Sequence, residues 1–176
     1  MNTLSDWQNF YVIAGSAAGA LIGLQFVVLT LLSSLPRKVS MQGANVYSTP
    51  TIVHFTTVLL LSAVMVAPAR SPVAHYAIAA LIALGGLAGT LYSLRNARHM
   101  RHAGYKPQFE DWLFYAVLPL IAYALLAVSG AAGFWLEFNE LGLYGTALST
   151  ILLLVNGIHN AWDTVTYHVF DRNTDI

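Results

Sequence analysis

Residues 7–36, WQNFYVIAGSAAGALIGLQFVVLTLLSSLP, contain no Asp, Glu, Lys or Arg. An apolar stretch longer than about 18 residues can cross the hydrocarbon layer of a membrane as a helix, because it carries no charge into it. Four more charge-free stretches follow, at residues 39–69, 71–94, 112–136 and 141–162. The sequence therefore predicts an all-α polytopic membrane protein, with five transmembrane helices forming a single bundle domain over residues 1–176.

The composition agrees with this class of protein. The 176 residues are 57% hydrophobic and 9% charged, whereas a soluble domain is about a quarter charged. The segments are rich in Ala and Leu and show no sustained alternation of polar and apolar residues, which favours helices over the strands of a membrane barrel. The predicted helices are Trp7–Leu35, Pro50–Pro68, Pro72–Asn96, Asp111–Leu136 and Leu141–Val169.

Hydroxyl residues and prolines mark the helix boundaries. The pairs Thr49-Pro50 and Ser71-Pro72 each place a capping hydroxyl before a proline at the first helical position. Pro119 lies inside the fourth predicted helix, where it removes a backbone hydrogen bond. We therefore expect a kink in that helix and a carbonyl near Tyr115 that lacks its helical partner.

The distribution of Lys and Arg predicts the orientation. With five spans, the loops near residues 36–49 and 97–110 lie on the same side as the C-terminus. This side carries 7 of the 8 basic residues, namely Arg37, Lys38, Arg95, Arg98, Arg101, Lys106 and Arg172, and the other side has only Arg70. Because basic loops favour the cytoplasm, we expect the N-terminus outside and the C-terminus inside.

Glycines recur every fourth residue in two of the predicted helices. Gly15, Gly19 and Gly23 share one face of the first helix, and Gly85 and Gly89 share one face of the third. Between helices in lipid, small residues promote association by letting backbones approach closely. For the third helix we favour packing within the bundle. For the first, such packing and a seam at a subunit interface or pore both stay open.

Polar residues collect at the cytoplasmic end of the bundle, where the fifth helix reads GIHNAWDTVTYH over residues 157–168. Helices 2 and 5 run in opposite directions, so the start of one lies at the depth of the end of the other. The candidate pore or vestibule residues are Gln25, His54, Asn156, His159, Asn160 and Asp163. We expect His54, His159 and Asp163 to line one water-accessible cavity between helices 2 and 5.

Ionisable residues at this depth often face a cavity or a partner, where they can gate ions or relay protons. Asp163 could instead be a structural anchor that pairs with Arg95 or Arg98. His54, His159 and Asp163 could also ligate a metal, and the two histidines could ligate haem. No metal-binding signature supports these last interpretations, so the sequence predicts no metal and no cofactor.

Several classes of function lack support in the sequence. We find no nucleophile elbow, no phosphate-binding glycine loop and no paired acidic motif within the spans, so we predict no enzymatic activity. The absence of cysteine excludes disulfides and thiolate metal sites. The formal net charge is zero, which gives no indication of nucleic-acid binding.

Four pieces of the sequence carry a resemblance: FYVIAGSAAGALIGLQFVVLTL, TPTIVHF, EDWLFYAVLPLIAYALL and GIHNAWDTV. Together they cover every predicted span except the third. In these pieces the chain resembles an uncharacterised group of small bacterial multi-pass membrane proteins. The resemblance implies a location in the bacterial inner membrane. It implies no established activity, so no residue roles follow from it.

The sequence favours a homo-oligomeric membrane channel for an ion or a small solute, with a polar vestibule at its cytoplasmic end. The expected partners are the lipid bilayer and further copies of the chain. One alternative is a non-catalytic accessory subunit that binds other membrane subunits. Another is a haem-binding or metal-binding membrane protein.

Reporter fusions test the predicted orientation. A periplasmic reporter should be active at the N-terminus, and a cytoplasmic reporter should be active at residue 104 and at the C-terminus, because the basic loops are retained in the cytoplasm. An N-terminus found in the cytoplasm would contradict the orientation and every assignment of depth that follows from it.

Overall fold

The structure is a computed structural model that describes residues 5–33, 49–68, 71–101, 108–135 and 140–169. Within these ranges the chain is helical and has no strand. A 3₁₀ turn at Ser5–Trp7 precedes the first helix. The helices are α1 (Gln8–Ser33), α2 (Thr49–Val66), α3 (Pro72–Met100), α4 (Phe109–Trp112, Leu113–Val117 and Leu118–Trp135, the middle piece being π-helical) and α5 (Glu140–Val169).

The described residues contain five helices that are long and apolar enough to cross a membrane, as the sequence predicts. Their bounds agree with the prediction to within a few residues, although α3 runs beyond Asn96 to Met100. The predicted ends at Leu35 and Leu136 lie outside the described residues. The predicted cap of α3 is confirmed, because the Ser71 hydroxyl accepts a hydrogen bond from the backbone N–H of Ala74 at 3.2 Å.

The outer surface of the bundle is apolar. Ile13 is 70% exposed, Leu84 is 62% exposed and Val128 is 66% exposed, and they belong to a long series of exposed Leu, Ile, Val and Phe side chains. A soluble protein rarely exposes contiguous apolar surface of this extent, whereas such a surface matches lipid tails. The five apolar helices thus have the architecture of a multi-pass membrane protein.

The helices form two antiparallel pairs on either side of α5. α1 packs mainly on α2, α3 packs mainly on α4, and α5 contacts α2 and α4. The rings of Trp7 and Tyr144 meet with centroids 5.0 Å apart, so α1 and α5 begin at the same end of the bundle. α1, α3 and α5 end at the opposite end, where α2 and α4 begin. We name it the basic end, because the last turns of α3 carry Arg95, Arg98 and Arg101 there.

Glycines allow α3 and α4 to approach to backbone contact. A Cβ atom on Gly86 would collide with the backbone of Ala127, and one on Gly130 would collide with the backbone of Ala83. Each helix thus has a glycine where it touches the backbone of the other, and a side chain at either glycine would push the two helices apart. One turn further along α3, Gly89 leaves space for the ring of Tyr123.

The predicted packing glycines divide into two groups. Gly15 and Gly89 pack within the chain, and a Cβ on Gly15 would lie 2.8 Å from the Cβ of Ser62. Gly19 is in ordinary contact with Leu59, 4.0 Å away. A Cβ on Gly23 or Gly85 would meet no atom of the described chain within 4 Å. Packing within one chain therefore explains Gly15 and Gly89 and leaves Gly23 and Gly85 unexplained.

The turn of α4 before Pro119 departs from α-helical geometry. This turn, Leu113–Val117, is π-helical, with the backbone N–H of Leu118 donating to the carbonyl of Leu113. The carbonyl of Tyr115 lies four residues before the proline, which has no N–H to offer it. It accepts a hydrogen bond from the side-chain amide of Asn96 at 3.3 Å instead. A side chain of α3 thus stabilises the distorted turn.

Adjacent glycines of α3 provide a matched pair of substitutions. Gly86→Ala should destabilise the protein by about 1–3 kcal/mol, because its methyl group collides with the backbone of Ala127 and not with a flexible side chain. Gly85→Ala faces open space and should leave the stability unchanged or raise it by up to about 1 kcal/mol. Thermal unfolding of both variants in mild detergent is the measurement. Equal melting temperatures would contradict the close α3–α4 crossing.

Candidate functional site: a buried polar layer

The buried face of α5 is unusually polar for a helix in an apolar bundle. Its buried polar side chains are Thr146, Ser149, Thr150, Asn156, Asn160 and Thr164. The hydroxyls are satisfied within the helix: Thr146 donates to the carbonyl of Gly142 at 2.9 Å, and Thr150 donates to that of Thr146 at 2.8 Å. The two asparagines differ from them, since neither atom of either amide group has a hydrogen-bond partner among the described residues.

Other helices add further buried polar atoms in the half of the bundle near the basic end. Each of the following has no hydrogen-bond partner in the described part of the chain: Gln25 Nε2 of α1, Thr51 Oγ1 and His54 Nε2 of α2, and Ser93 Oγ of α3. We name these four residues together with Asn156 and Asn160 the polar layer. Each unpaired buried polar atom costs about 1–3 kcal/mol. Water or another hydrogen-bonding molecule in contact with these atoms would offset that cost.

Contacts between helices place these residues at one depth. Gly157 lies against the ring of Phe55. Thr51 is one turn from Phe55 toward the basic end, and Asn160 is almost one turn from Gly157 in the same direction, because the two helices are antiparallel. Thr51 and Asn160 therefore lie opposite each other where α2 meets α5.

Gln25 and Ser93 reach the same depth from the outer helices. Gly19 contacts Leu59, so Gln25, six residues further along α1, lies about 9 Å closer to the basic end, level with His54 on α2. Ser93 lies one turn beyond Gly89, which contacts the ring of Tyr123. The polar layer is thus defined by a shared depth, and its residues belong to α1, α2, α3 and α5.

Tyr123 of α4 connects the layer across the bundle. It is fully buried, and its hydroxyl lies 3.0 Å from Nδ1 of His54 and 3.1 Å from Oγ1 of Thr57. This contact fixes the His54 ring and leaves its Nε2 atom for the layer. Sequence reasoning missed Tyr123, and the one available signal was a single polar group within the apolar run LPLIAYALLAV of α4.

A second group of contacts joins the start of α4 to the end of α5. Nε2 of His159 lies 3.2 Å from Oε1 of Glu110, and the His159 ring stacks on Phe114 with centroids 3.4 Å apart. The Tyr115 hydroxyl donates to Oδ2 of Asp163 at 2.9 Å. These contacts hold α5 to α4 at the basic end, close to the π-helical turn.

His54, His159 and Asp163 each contact a different side chain of α4. His54 bonds to Tyr123, His159 pairs with Glu110, and Asp163 accepts from Tyr115. That these three residues line one cavity stays a prediction. Gln25, His54, Asn156 and Asn160 are the predicted site residues that we include in the polar layer.

Among the described residues, no three His, Cys, Asp or Glu side chains lie close enough together to hold a metal ion. Each of the two histidines has one nitrogen in contact with a side chain of α4. The other nitrogen, Nε2 of His54 and Nδ1 of His159, is buried and has no hydrogen-bond partner among the described residues.

No known protein family, curated protein or solved structure matches this chain. The resemblance to small bacterial membrane proteins therefore stays an expectation.

Proposed function

We propose that the chain is the subunit of a homo-oligomeric membrane channel, and that each subunit passes a small solute through the interior of its own bundle. The observation that supports this most strongly is the polar layer, whose amide groups are buried and unpaired inside an otherwise apolar protein. Because lipid offers no hydrogen bonds, polar groups at this depth generally face a water-filled cavity or a partner. A hydrated path satisfies them without any further protein chain.

The buried face of α5 gives this path its length. Toward the end where α5 begins it carries Thr146, Ser149 and Thr150, and toward the basic end it carries Asn156 and Asn160. Polar groups therefore follow one face of a single helix over most of its length. A solute that moves along this face can exchange one hydrogen-bond partner for the next.

Leu153 interrupts this polar line. It is fully buried and lies one turn before Gly157, which places it level with the buried Val58 and with Leu59 on α2. A narrow ring of apolar side chains expels water and closes a channel without a physical plug. We propose that Leu153 is the constriction and that the structure is the closed state.

The charges and the outer surface support the proposed orientation and assembly. Arg95, Arg98 and Arg101 lie at the basic end, and basic residues favour the cytoplasmic side. We therefore place the C-terminus in the cytoplasm, the N-terminus outside and the protein in a bacterial inner membrane. On α1, Gly23 is exposed together with the small residues Ser16 and Ala20, which lets a second copy approach closely.

Changing the size of residue 153 tests the constriction in both directions. Leu153→Ala should raise solute flux into proteoliposomes several-fold, because it widens the apolar ring, and Leu153→Phe should lower it. Leu148→Ala is the control, since Leu148 lies on the same helix but is 51% exposed on the outer surface. Its flux should equal that of the wild type.

The same experiment can contradict the proposal. If the wild type and Leu153→Ala both give no flux above protein-free liposomes, the chain is not a channel. An accessory subunit that co-purifies with other membrane chains then becomes the better account of the polar layer.

Substitutions at Gly23 and Gly85 test self-association, because a Cβ atom on either glycine would meet no atom of the described chain within 4 Å. Gly23→Leu should lower the native mass in mild detergent, because the larger side chain separates two α1 helices. Gly85→Leu is the matched control, since a Cβ there also meets nothing within 4 Å, and it should leave the mass unchanged. A normal oligomer with Leu at position 23 would exclude this face of α1 as the subunit interface.

A further inference from the structure

We propose that the polar layer carries uncharged solutes that both donate and accept hydrogen bonds, such as water, glycerol or urea, and that it excludes ions. This inference names the substrate class of the channel and so rests on the proposed function. It follows from the kinds of atom in the layer, from the absence of charge among its six residues, and from the spacing of its two asparagines.

Donors and acceptors are mixed in the layer. Asn156 and Asn160 each present one unpaired N–H₂ group and one unpaired carbonyl oxygen, and Gln25 presents an unpaired N–H₂ group. Thr51 and Ser93 present hydroxyls, which act in either role. A cation would meet the amide donors unfavourably, and an anion would meet the oxygens unfavourably. A molecule with hydroxyl or amide groups pairs with both.

No member of the layer has a fixed charge. On α5, the nearest titratable side chain outside the layer is that of His159, which adjoins Asn160, has a buried Nδ1 without a hydrogen-bond partner among the described residues, and pairs through Nε2 with Glu110 of α4. The nearest acidic side chain on α5 is Asp163, almost one turn beyond Asn160, and it accepts a hydrogen bond from Tyr115. An ion in the layer would lose its hydration without gaining a counter-charge, which costs several kcal/mol. A neutral solute only exchanges hydrogen bonds with water for hydrogen bonds with the protein.

The spacing suits a small molecule with more than one polar group. Asn156 and Asn160 are four residues apart on one face of α5, so their Cβ atoms are about 5–6 Å apart. A solute of the size of urea or glycerol can contact both amides at once and move from one to the other. Toward the end where α5 begins, the next buried residue in line is Leu153, which closes the layer on that side.

The protein contains no cysteine, so single cysteines can report on the layer directly. Asn156→Cys, Asn160→Cys and Ser93→Cys are treated in mild detergent with three ethyl methanethiosulfonate reagents that differ in their terminal group: a neutral hydroxyl, a trimethylammonium and a sulfonate. Only a thiol in contact with water forms the reactive thiolate. Val155→Cys is the matched control, because Val155 adjoins Asn156 but is 54% exposed on the apolar outer surface.

We expect the neutral reagent to label all three layer positions at least tenfold faster than either charged reagent, and Val155→Cys to remain unlabelled. Ser93→Cys is nearly isosteric, so it keeps the test valid if an asparagine variant does not fold. Equal labelling by the charged reagents would overturn the inference, because ions would then enter the layer. Absence of labelling by all three reagents would overturn it as well, because the layer would then be dry.

A flux assay separates this inference from the proposed function. In proteoliposomes with Leu153→Ala, glycerol and urea should pass at least tenfold faster than Na⁺ and Cl⁻. Asn156→Leu in the same background should reduce the neutral flux at least tenfold. Selective labelling without any flux would support the neutral layer and contradict the channel. Flux dominated by ions would support a channel and overturn the inference.

Discussion

The backbone contact between α3 and α4 is the constraint on which the rest of the bundle depends. At Gly86 and Gly130 the two helices touch without side chains between them. This contact brings the ring of Tyr123 over Gly89, and the ring carries its hydroxyl to His54 on α2. Toward the basic end it also brings the Asn96 amide to the carbonyl of Tyr115. A wider crossing would remove all three interactions.

The buried face of α5 packs against helices on two sides. The helix lies between the α1–α2 pair and the α3–α4 pair, so its inward face cannot meet lipid. Hydroxyls on that face donate to backbone carbonyls of the same helix. These polar side chains are therefore buried without leaving their O–H groups unpaired. The amides of Asn156 and Asn160 have no hydrogen-bond partner among the described residues. The buried face of the helix therefore has one part whose hydroxyls bond to the helix backbone and one part whose amide groups do not.

The helices and their approximate bounds could be predicted from the sequence, but rotation about the helix axes could not. The charge-free stretches predicted five helices, and Pro119 correctly pointed to the carbonyl of Tyr115. The contact of His159 with Glu110 was missed, because Glu110 was assigned to a loop and not to the first turn of α4. Spacing likewise did not distinguish the open Gly85 from the crowded Gly86. Which face of a helix meets its neighbour depends on partners that are distant in the sequence.

The π-helical turn of α4 has a consequence for how the protein can vary. A π turn accommodates one more residue than an α turn, which shifts the angular phase of everything before it by about 100°. The segment Leu118–Trp135 keeps the phase that α3 requires, while Glu110 and Phe114 lie in a different phase that suits His159. The side chains of the two halves of α4 are therefore offset from each other around the helix axis. Changes at the basic end can accumulate in Phe109–Trp112 without disturbing the glycine crossing.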